Sequence, residues 1–317
     1  MTVDALDQAL AASQAWLLDQ EAPEAVVLAH EAGADVPRTN ARHWVSRVLG
    51  EQRDDGSWGG DLLRTIDSLL TIQELRTAAR LVEQDPGVAR AHDWIRGRRG
   101  LPGTWADGCS SDRHRQGLCH HFSGGFYSPA DPDVMQPGAR LRCGAEVAGD
   151  GELRFVASAL ALRCVLGAGR EGQDDRLHLA GLRQVVRVWA ENRPGDLSVG
   201  GLLAAIHALI ASDHPADRDA AQAGLRLVGS KQRGDGSWVE TDAFQALDVI
   251  GTAVAAGIDV DRMNQALWHG ARLLVSSQQK DGSWGRDHGP RRALIGWRTL
   301  RRLAPSRLAK GQAGGQG

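Results

Sequence analysis

Three ionisable residues interrupt segments of the chain that are otherwise apolar. Asp67 lies within LLRTIDSLLTIQEL, His207 within GGLLAAIHALIAS and Asp248 within FQALDVIGTAVAA. Apolar surroundings remove water from a carboxyl group, which raises its pKa and favours the protonated form. A neutral acid of this kind can protonate an alkene or an epoxide, and a neutral imidazole can accept a proton. The simpler alternative is that each residue makes a hydrogen bond between two helices.

A second group of polar residues follows a recurring turn: Asp61, Glu240, Asp242, Asp287 and His288. If these turns share one rim of the fold, their side chains converge around one opening. We therefore place Asp242 with Asp67, His207 and Asp248 among the candidate catalytic residues. The alternative is that Asp and Glu in the first turn of a helix cap its free N–H groups.

The recurring turn has a pattern of Gln, then Gly four residues later, then Trp two residues after that. It begins at Gln52, Gln232 and Gln278, with a weakened copy at Arg99 and a remnant at Glu191, and the repeat is roughly 46 residues long. Asp-Gly breaks a helix and tolerates positive φ. Each copy therefore predicts a tight turn between two helices, in which the Trp covers a helix end and the Gln amide binds backbone groups.

Apolar residues at helical spacing predict about twelve helices in six pairs, with one turn in each pair. The second helices, such as GGLLAAIHALIAS, are apolar on nearly all sides, as is typical of buried helices, whereas the first helices are amphipathic. This contrast favours an all-α (α/α)6 toroid, a double ring of inner and outer helices, over an open solenoid. We found no alternating pattern with hairpin signals and expect no strands.

Residues 100–151 lack helical periodicity and form a long insertion between the fifth and sixth helices. An insertion of this length is usually functional or disordered. Its segment SGGFYSPADPD contains Phe126, Tyr127, Asp131 and Asp133, which we expect to cover the cavity mouth and contact the substrate. Trp297 and Phe244 are the other predicted substrate contacts. Residues 1–308 are predicted to form one domain, and 309–317 a flexible tail.

The repeats resemble the terpenoid cyclase and protein prenyltransferase superfamily, whose QW motif matches DGSW at three places here. The resemblance implies a toroid around an apolar cavity, with active groups at the motif end of the inner helices. Two features depart from the superfamily. The D-x-D-D motif of class II cyclases is missing, and its nearest counterpart is Asp131-Pro132-Asp133. His288 follows a motif turn but lacks the Asp-x-Cys of the zinc prenyltransferases.

Composition narrows the classes of function. The net charge of −2 and the lack of a basic stripe argue against nucleic acid, and no run of apolar residues is long enough for a transmembrane helix. The first residues show no signal-peptide pattern, so we expect a cytoplasmic protein. We expect no cofactor and no metal. A zinc site formed by the Cys and His residues between 109 and 143 is the alternative. The oligomeric state is not predictable.

These features predict a terpenoid-cyclase-like enzyme that cyclises a small isoprenoid or isoprenoid-bearing substrate by acid initiation in a central apolar cavity. Asp248 and Asp67 are the expected acid and its partner, and His207 the expected base. Two alternatives stay open at this point. One is a non-catalytic toroid that binds an apolar ligand or partner, and the other is a zinc-dependent prenyltransferase-like enzyme.

Overall fold

A computed structural model describes residues 1–83, 85–98, 138–169, 173–190, 198–285 and 287–304. These residues contain twelve helices and one short hairpin. The helices are α1 (Val3–Leu18), α2 (Pro23–Glu31), α3 (Arg38–Gly50), α4 (Leu62–Ala79), α5 (Pro86–Gly97), α6 (Asp150–Gly167), α7 (Gln173–Ala190), α8 (Val199–Ile210), α9 (Pro215–Ser230), α10 (Ala243–Ala255), α11 (Val260–Ser277) and α12 (Gly289–Leu303). Most of the predicted insertion and the whole predicted tail lie outside the described residues.

The helices form two concentric rings. The even-numbered helices make the inner ring, in which each packs against the next and α12 returns to contact α2. The odd-numbered helices surround them, and α11 contacts α1. Every residue of α8 is buried, as its uniformly apolar sequence predicts for an inner helix. The predicted all-α toroid is confirmed, and the open solenoid is wrong.

Local sequence explains where several inner and outer helices begin. Asp61 caps α4 by accepting a hydrogen bond from the backbone N–H of Arg64 at 2.7 Å. Ser198 caps α8 in the same way, and Asp242 caps α10 by accepting from the N–H of Phe244 at 2.8 Å. Proline occupies the first position of α2, α5 and α9, where its missing N–H costs nothing.

The motif tryptophans tie each turn to the outer helix that precedes it. Each indole Nε1 donates to a carbonyl in the last part of that helix, as in Trp58 to Val48 at 2.7 Å, Trp238 to Val228 at 3.1 Å and Trp284 to Leu274 at 2.8 Å. Because the last carbonyls of a helix have no partner within the helix, the indole stabilises the helix end. All three tryptophans are buried.

The motif glutamines join each turn to the following outer helix. Each Nε2 donates to the carbonyl of its own motif glycine and to a carbonyl one repeat further on: Gln52 to Gly87 at 2.8 Å, Gln232 to Ala266 at 3.0 Å and Gln278 to Ala9 at 3.0 Å. The last of these bonds connects the end of α11 to α1. The motif therefore helps to close the ring.

One short hairpin departs from the expectation of no strands. Strands β1 (Gly138–Arg140) and β2 (Glu146–Ala148) pair antiparallel. Arg292, in the first turn of α12, donates from Nε to the carbonyl of Cys143 at 3.0 Å, which places the hairpin turn over the end of the ring where the inner helices begin. We call this end the motif end, and the opposite one the far end. Strands of three residues are too short to show alternation, so the sequence did not reveal them.

Candidate functional site

A cavity of about 50 Å³ lies at the centre of the inner ring. Asp67 on α4, His207 on α8 and Asp248 on α10 all line it, so three of the four candidate catalytic residues come together. Arg142 of the hairpin, Arg163 of α6 and Arg291 of α12 complete its charged lining. We call this space the central cavity.

The described lining of the central cavity combines apolar side chains, among them Leu70, Leu160 and Val249, with charged ones, so the expected apolar cavity also contains ionised groups. Glu74 accepts hydrogen bonds from Arg291 at 2.7 Å, from Arg142 at 2.7 Å and from Arg298 at 3.1 Å. A buried charge is tolerated only when it is paired, and here the pairing is extensive.

Asp248 is ionised, which corrects its predicted role as a neutral acid. Burial raises the pKa of Asp248, but the neighbouring guanidinium charges, that of Arg291 above all and also that of Arg163, outweigh burial, and the pKa is lowered to about 2. Its carboxylate forms an ion pair with Arg291 at 3.1 Å. A carboxylate held in this state near neutral pH cannot donate a proton.

Asp67 has the opposite character. Burial raises its pKa to about 6, against the charges of Arg142 and Arg291, which lower it. The carboxyl group therefore keeps its proton in mildly acidic conditions, and the nearby guanidinium groups stabilise the carboxylate once the proton has left. Of the two candidate acids, Asp67 has the properties of a proton donor.

His207 is neutral and almost fully enclosed. His207 is 4% exposed, and its pKa is lowered to about 3, mainly by burial. Its Nε2 has no hydrogen-bond partner among the described residues. An unpartnered, neutral imidazole beside a cavity is a potential proton acceptor.

Two other candidates lie at the motif-end rim outside the central cavity. Asp242 caps α10 and also pairs with Arg292 at 2.8 Å. The Phe244 ring packs edge-on against Trp284, with centroids 6.0 Å apart, and Arg292 lies 4.9 Å from the Phe244 centroid. These contacts hold the start of α10 in place, and a catalytic role for Asp242 and a substrate contact for Phe244 stay predictions.

A larger cavity of about 640 Å³ opens at the far end and includes Asp248, Trp297 and residues in the last turns of α4, α10 and α12. We call it the far-end cavity. Trp297 is 2% exposed, donates from Nε1 to Gln14 at 3.3 Å and lies under Arg301. Asp248 is the residue that lines both the central cavity and the far-end cavity among the described residues.

The remaining predicted substrate contacts, Phe126, Tyr127, Asp131 and Asp133, lie outside the described residues, as do most of the cysteine and histidine residues considered for zinc. Among the described residues, no group of three His, Cys, Asp or Glu side chains is arranged to hold a metal ion. Burial raises the pKa of Cys143 to about 11, so it is a thiol near neutral pH. No described helix has the length and apolar character needed to cross a membrane.

Sequence reasoning missed Glu74, Arg142, Arg163 and Arg291 at the centre. A signal for part of this set was present. Asp67 and Glu74 are seven residues apart, as are Arg291 and Arg298, and this spacing places each pair on one helix face two turns apart. Arg142 and Arg163 carry no such signal, because nothing along the chain indicates that they point to the axis.

The fold is similar to that of type II terpene cyclases. The apo structure of the type II terpene cyclase MstE from Scytonema matches with a TM-score of 0.58 and 13% identity over 96% of this chain and 99% of that chain. A variant of that cyclase in complex with geranylgeranyl dihydroxybenzoate, its substrate, matches with a TM-score of 0.57 and 13% identity over 96% and 98% of the two chains.

A protein from Actinoplanes matches with a TM-score of 0.53 and 17% identity over 95% of this chain and 100% of that chain. No model of a protein family and no curated protein matches the sequence. At these identities the likeness concerns the fold, and the predicted resemblance to the terpenoid cyclase fold is confirmed.

Proposed function

We propose that this protein is a terpenoid-cyclase-like enzyme that cyclises an isoprenoid-bearing substrate after protonation by Asp67. The observation that carries this proposal is the carboxyl group of Asp67 in the central cavity of a cyclase-like toroid, with its pKa raised to about 6 by burial. The solved cyclase that binds geranylgeranyl dihydroxybenzoate supports a prenylated substrate. The cytoplasmic location stays a prediction.

The proposed reaction begins with proton transfer from Asp67. Its O–H bond breaks as a C–H bond forms at an alkene carbon, or as an epoxide oxygen is protonated and its C–O bond opens. The next double bond supplies its π electrons to the resulting cation and closes a ring. His207 Nε2 then takes a proton beside the final cation, whose C–H electrons become a double bond. From an alkene or an epoxide, substrate and product are isomers, and the proton returns to Asp67 through solvent.

The far-end cavity is the proposed site for the body of the substrate, because the central cavity holds too little volume for a prenyl chain. Ligand pockets are typically about 300 to 1,000 Å³, and the far-end cavity is about 640 Å³. Arg298, Arg301 and Arg302 lie on one face of α12 along this cavity. Their guanidinium groups are suited to a polar or anionic end of the substrate.

Asp248 then serves as a positioning residue. Asp248 lines both cavities and is held by its ion pair with Arg291, so it lies beside the proposed path of the alkene toward Asp67. The charge of Asp248 also stabilises positive charge that develops nearby.

One observation favours the non-catalytic alternative. The described centre of the ring is filled by paired charges and leaves only about 50 Å³, which is consistent with a toroid that binds a ligand or partner at its far end. The zinc-dependent alternative depends on residues outside the described part of the chain. Metal analysis of the purified protein tests it directly, and stoichiometric zinc would move the reaction away from Asp67.

The decisive experiment is an assay with geranylgeranyl- and farnesyl-substituted benzoic acids and their terminal epoxides, followed by liquid chromatography and mass spectrometry. The enzyme should form a product of unchanged mass and altered retention. Asp67→Asn should abolish this product, whereas Asp93→Asn, which changes an exposed carboxylate on α5, should not. Full turnover by folded Asp67→Asn would reject the proposal, and no product with any of the substrates would favour the binding toroid.

A further inference from the structure

The hairpin turn is fastened across the motif end by Arg142. Its Nη2 donates to Glu74 of α4 at 2.7 Å and to Glu24 of α2 at 3.2 Å. The carbonyl of Cys143 accepts from Arg292 of α12. Three inner helices therefore hold one turn of a hairpin that belongs to the insertion.

Arg142 extends from this hairpin into the central cavity, which it lines together with Asp67. Its side chain is 15% exposed, while those of Glu24 and Glu74 are 11% and 17% exposed. The two ion pairs thus lie largely out of solvent, where screening by water is weak. The neighbouring Arg140 contrasts with it, because Arg140 pairs with Glu146 on the hairpin surface and its side chain is 49% exposed.

We propose that Arg142 is the positioning residue for the proton donor: the hairpin delivers its guanidinium to the central cavity, and Asp67 becomes an effective acid only when the hairpin covers the motif end. This inference rests on the proposed function of Asp67 and adds a residue that the cyclase-like fold does not assign. It makes the described end of the insertion part of the reaction.

The physical reason is that Asp67 becomes a negatively charged carboxylate once it has given up its proton. A guanidinium group near Asp67 stabilises that carboxylate, whereas burial keeps the group neutral beforehand. Raising the hairpin would withdraw Arg142 from the cavity and admit water. The coupling therefore confines proton transfer to the closed form, in which a carbocation is also protected from water.

The other charged and titratable groups that face Asp67 come from five helices and the hairpin. They are Asp61 at the N-cap of α4, Cys143 on the hairpin, Arg163 and Cys164 on α6, His207 on α8, Asp248 on α10 and Arg291 on α12. Of all these groups and Arg142, the charge of Arg142 lowers the pKa of Asp67 most. Arg163 and Arg291 remain when Arg142 is replaced. A change in the pKa of Asp67 therefore measures the contribution of the hairpin alone.

The test compares Arg142→Gln with Arg142→Lys and with the matched control Arg140→Gln. In each background the pKa of Asp67 is obtained from the pH dependence of urea unfolding, with and without Asp67→Asn. Arg142→Gln should raise the pKa of Asp67 by about one pH unit, because an opposing charge has been removed. Arg142→Lys keeps the charge and should leave the pKa near that of the wild type, and Arg140→Gln should not change it.

A structural role alone would lower the stability of Arg142→Gln and leave the pKa of Asp67 where it was, and this result would overturn the inference. If Arg142→Gln does not fold, Arg142→Lys, which keeps the charge, is compared with Arg142→Met, which removes it. Equal pKa values of Asp67 in these two variants would also overturn the inference. The readout needs no substrate. Loss of the proposed function, shown by full turnover in Asp67→Asn, is therefore distinguishable from failure of the Arg142 coupling.

Discussion

At the scale of single residues, Asp67 and Asp248 show how similar sequence contexts lead to opposite ionisation. Both interrupt apolar segments of inner helices, and both line the central cavity. Asp248 has Arg291 as a direct partner at 3.1 Å, whereas Asp67 forms no such ion pair with any residue that the structure describes. Burial therefore prevails at Asp67, and pairing prevails at Asp248.

Asp67→Asn should stabilise the protein near neutral pH. The pKa of Asp67 is about 6 in the folded state, against an ordinary value of 3.8 for an aspartate, so the folded state binds the proton more tightly. Ionising this buried carboxyl group lowers the free energy of unfolding. The loss grows as the pH rises from about 4 to about 6 and levels off above pH 6 at about 3 kcal/mol. Asparagine removes this loss.

Urea unfolding across this pH range measures the effect. The difference between Asp67→Asn and the wild type should rise with pH and then level off, while Asp93→Asn should show no such step. Parallel curves for Asp67→Asn and the wild type would contradict a raised pKa.

Asp248→Asn should destabilise the protein, because it leaves Arg291 with one carboxylate partner fewer in a buried site. Breaking a buried ion pair costs about 3 to 5 kcal/mol. Since the pKa of Asp248 is lowered to about 2, its contribution is complete above about pH 4 and is lost as pH falls through about 2. Thermal unfolding at neutral pH should show a lower Tm for Asp248→Asn. The control Asp219→Asn, which changes an exposed carboxylate on α9, should leave the Tm nearly unchanged. Equal Tm values for the two variants would argue against a stabilising ion pair between Asp248 and Arg291.

At the scale of elements, the motif turn depends on its glycine as much as on its tryptophan. Gly56, Gly236 and Gly282 have φ of +93°, +93° and +92°. A Cβ on Gly236 would lie 2.1 Å from the carbonyl oxygen of His269, in the next outer helix. Backbone conformation and close approach both require glycine, which explains its place between Gln and Trp.

Gly236→Ala should therefore lower the free energy of unfolding by more than about 2 kcal/mol, since it adds both strain and a clash. Gly234→Ala is the matched control, two residues earlier in the same turn, because nothing lies within 4 Å of its Cβ. Chemical denaturation of both variants measures the contrast. A Gly236→Ala variant as stable as Gly234→Ala would show that the turn adapts.

At the scale of the whole molecule, the ring is closed by contacts between the two ends of the chain. The Gln278 amide binds the carbonyl of Ala9, and a Cβ on Gly282 would meet the carbonyl of Ala12 at 2.4 Å. Trp297 of α12 reaches Gln14 of α1. The first helix is thus the final outer element that completes the toroid.

Gln278→Ala should weaken this closure by about 1 to 3 kcal/mol, because the carbonyls of Ala9 and Gly282 lose their side-chain donor. Hydrogen exchange should speed up first in α1, since closure depends on that helix. Gln265→Ala, on the exposed side of α11, should change neither stability nor exchange. Uniformly faster exchange over all helices would mean that the ring opens as one unit.

Much of the fold followed from the sequence, because helix periodicity and turn chemistry depend on residues that are near one another along the chain. The motif spacing predicted six pairs of helices, and the apolar second helices predicted the inner ring. The hairpin was missed since its strands are short. The position of three candidate residues at one cavity followed from their equivalent places in inner helices, although their chemical states did not.

By itself, the sequence determined the helices, their pairing and the ring, because each depends on a local pattern. Only the tertiary structure decided which carboxyl group keeps its proton and which is paired. The bond between Arg291 and Asp248 spans 43 residues of chain, and that between Arg291 and Glu74 spans 217. Electrostatic energies depend on distances in space and on burial, and neither is visible along the chain.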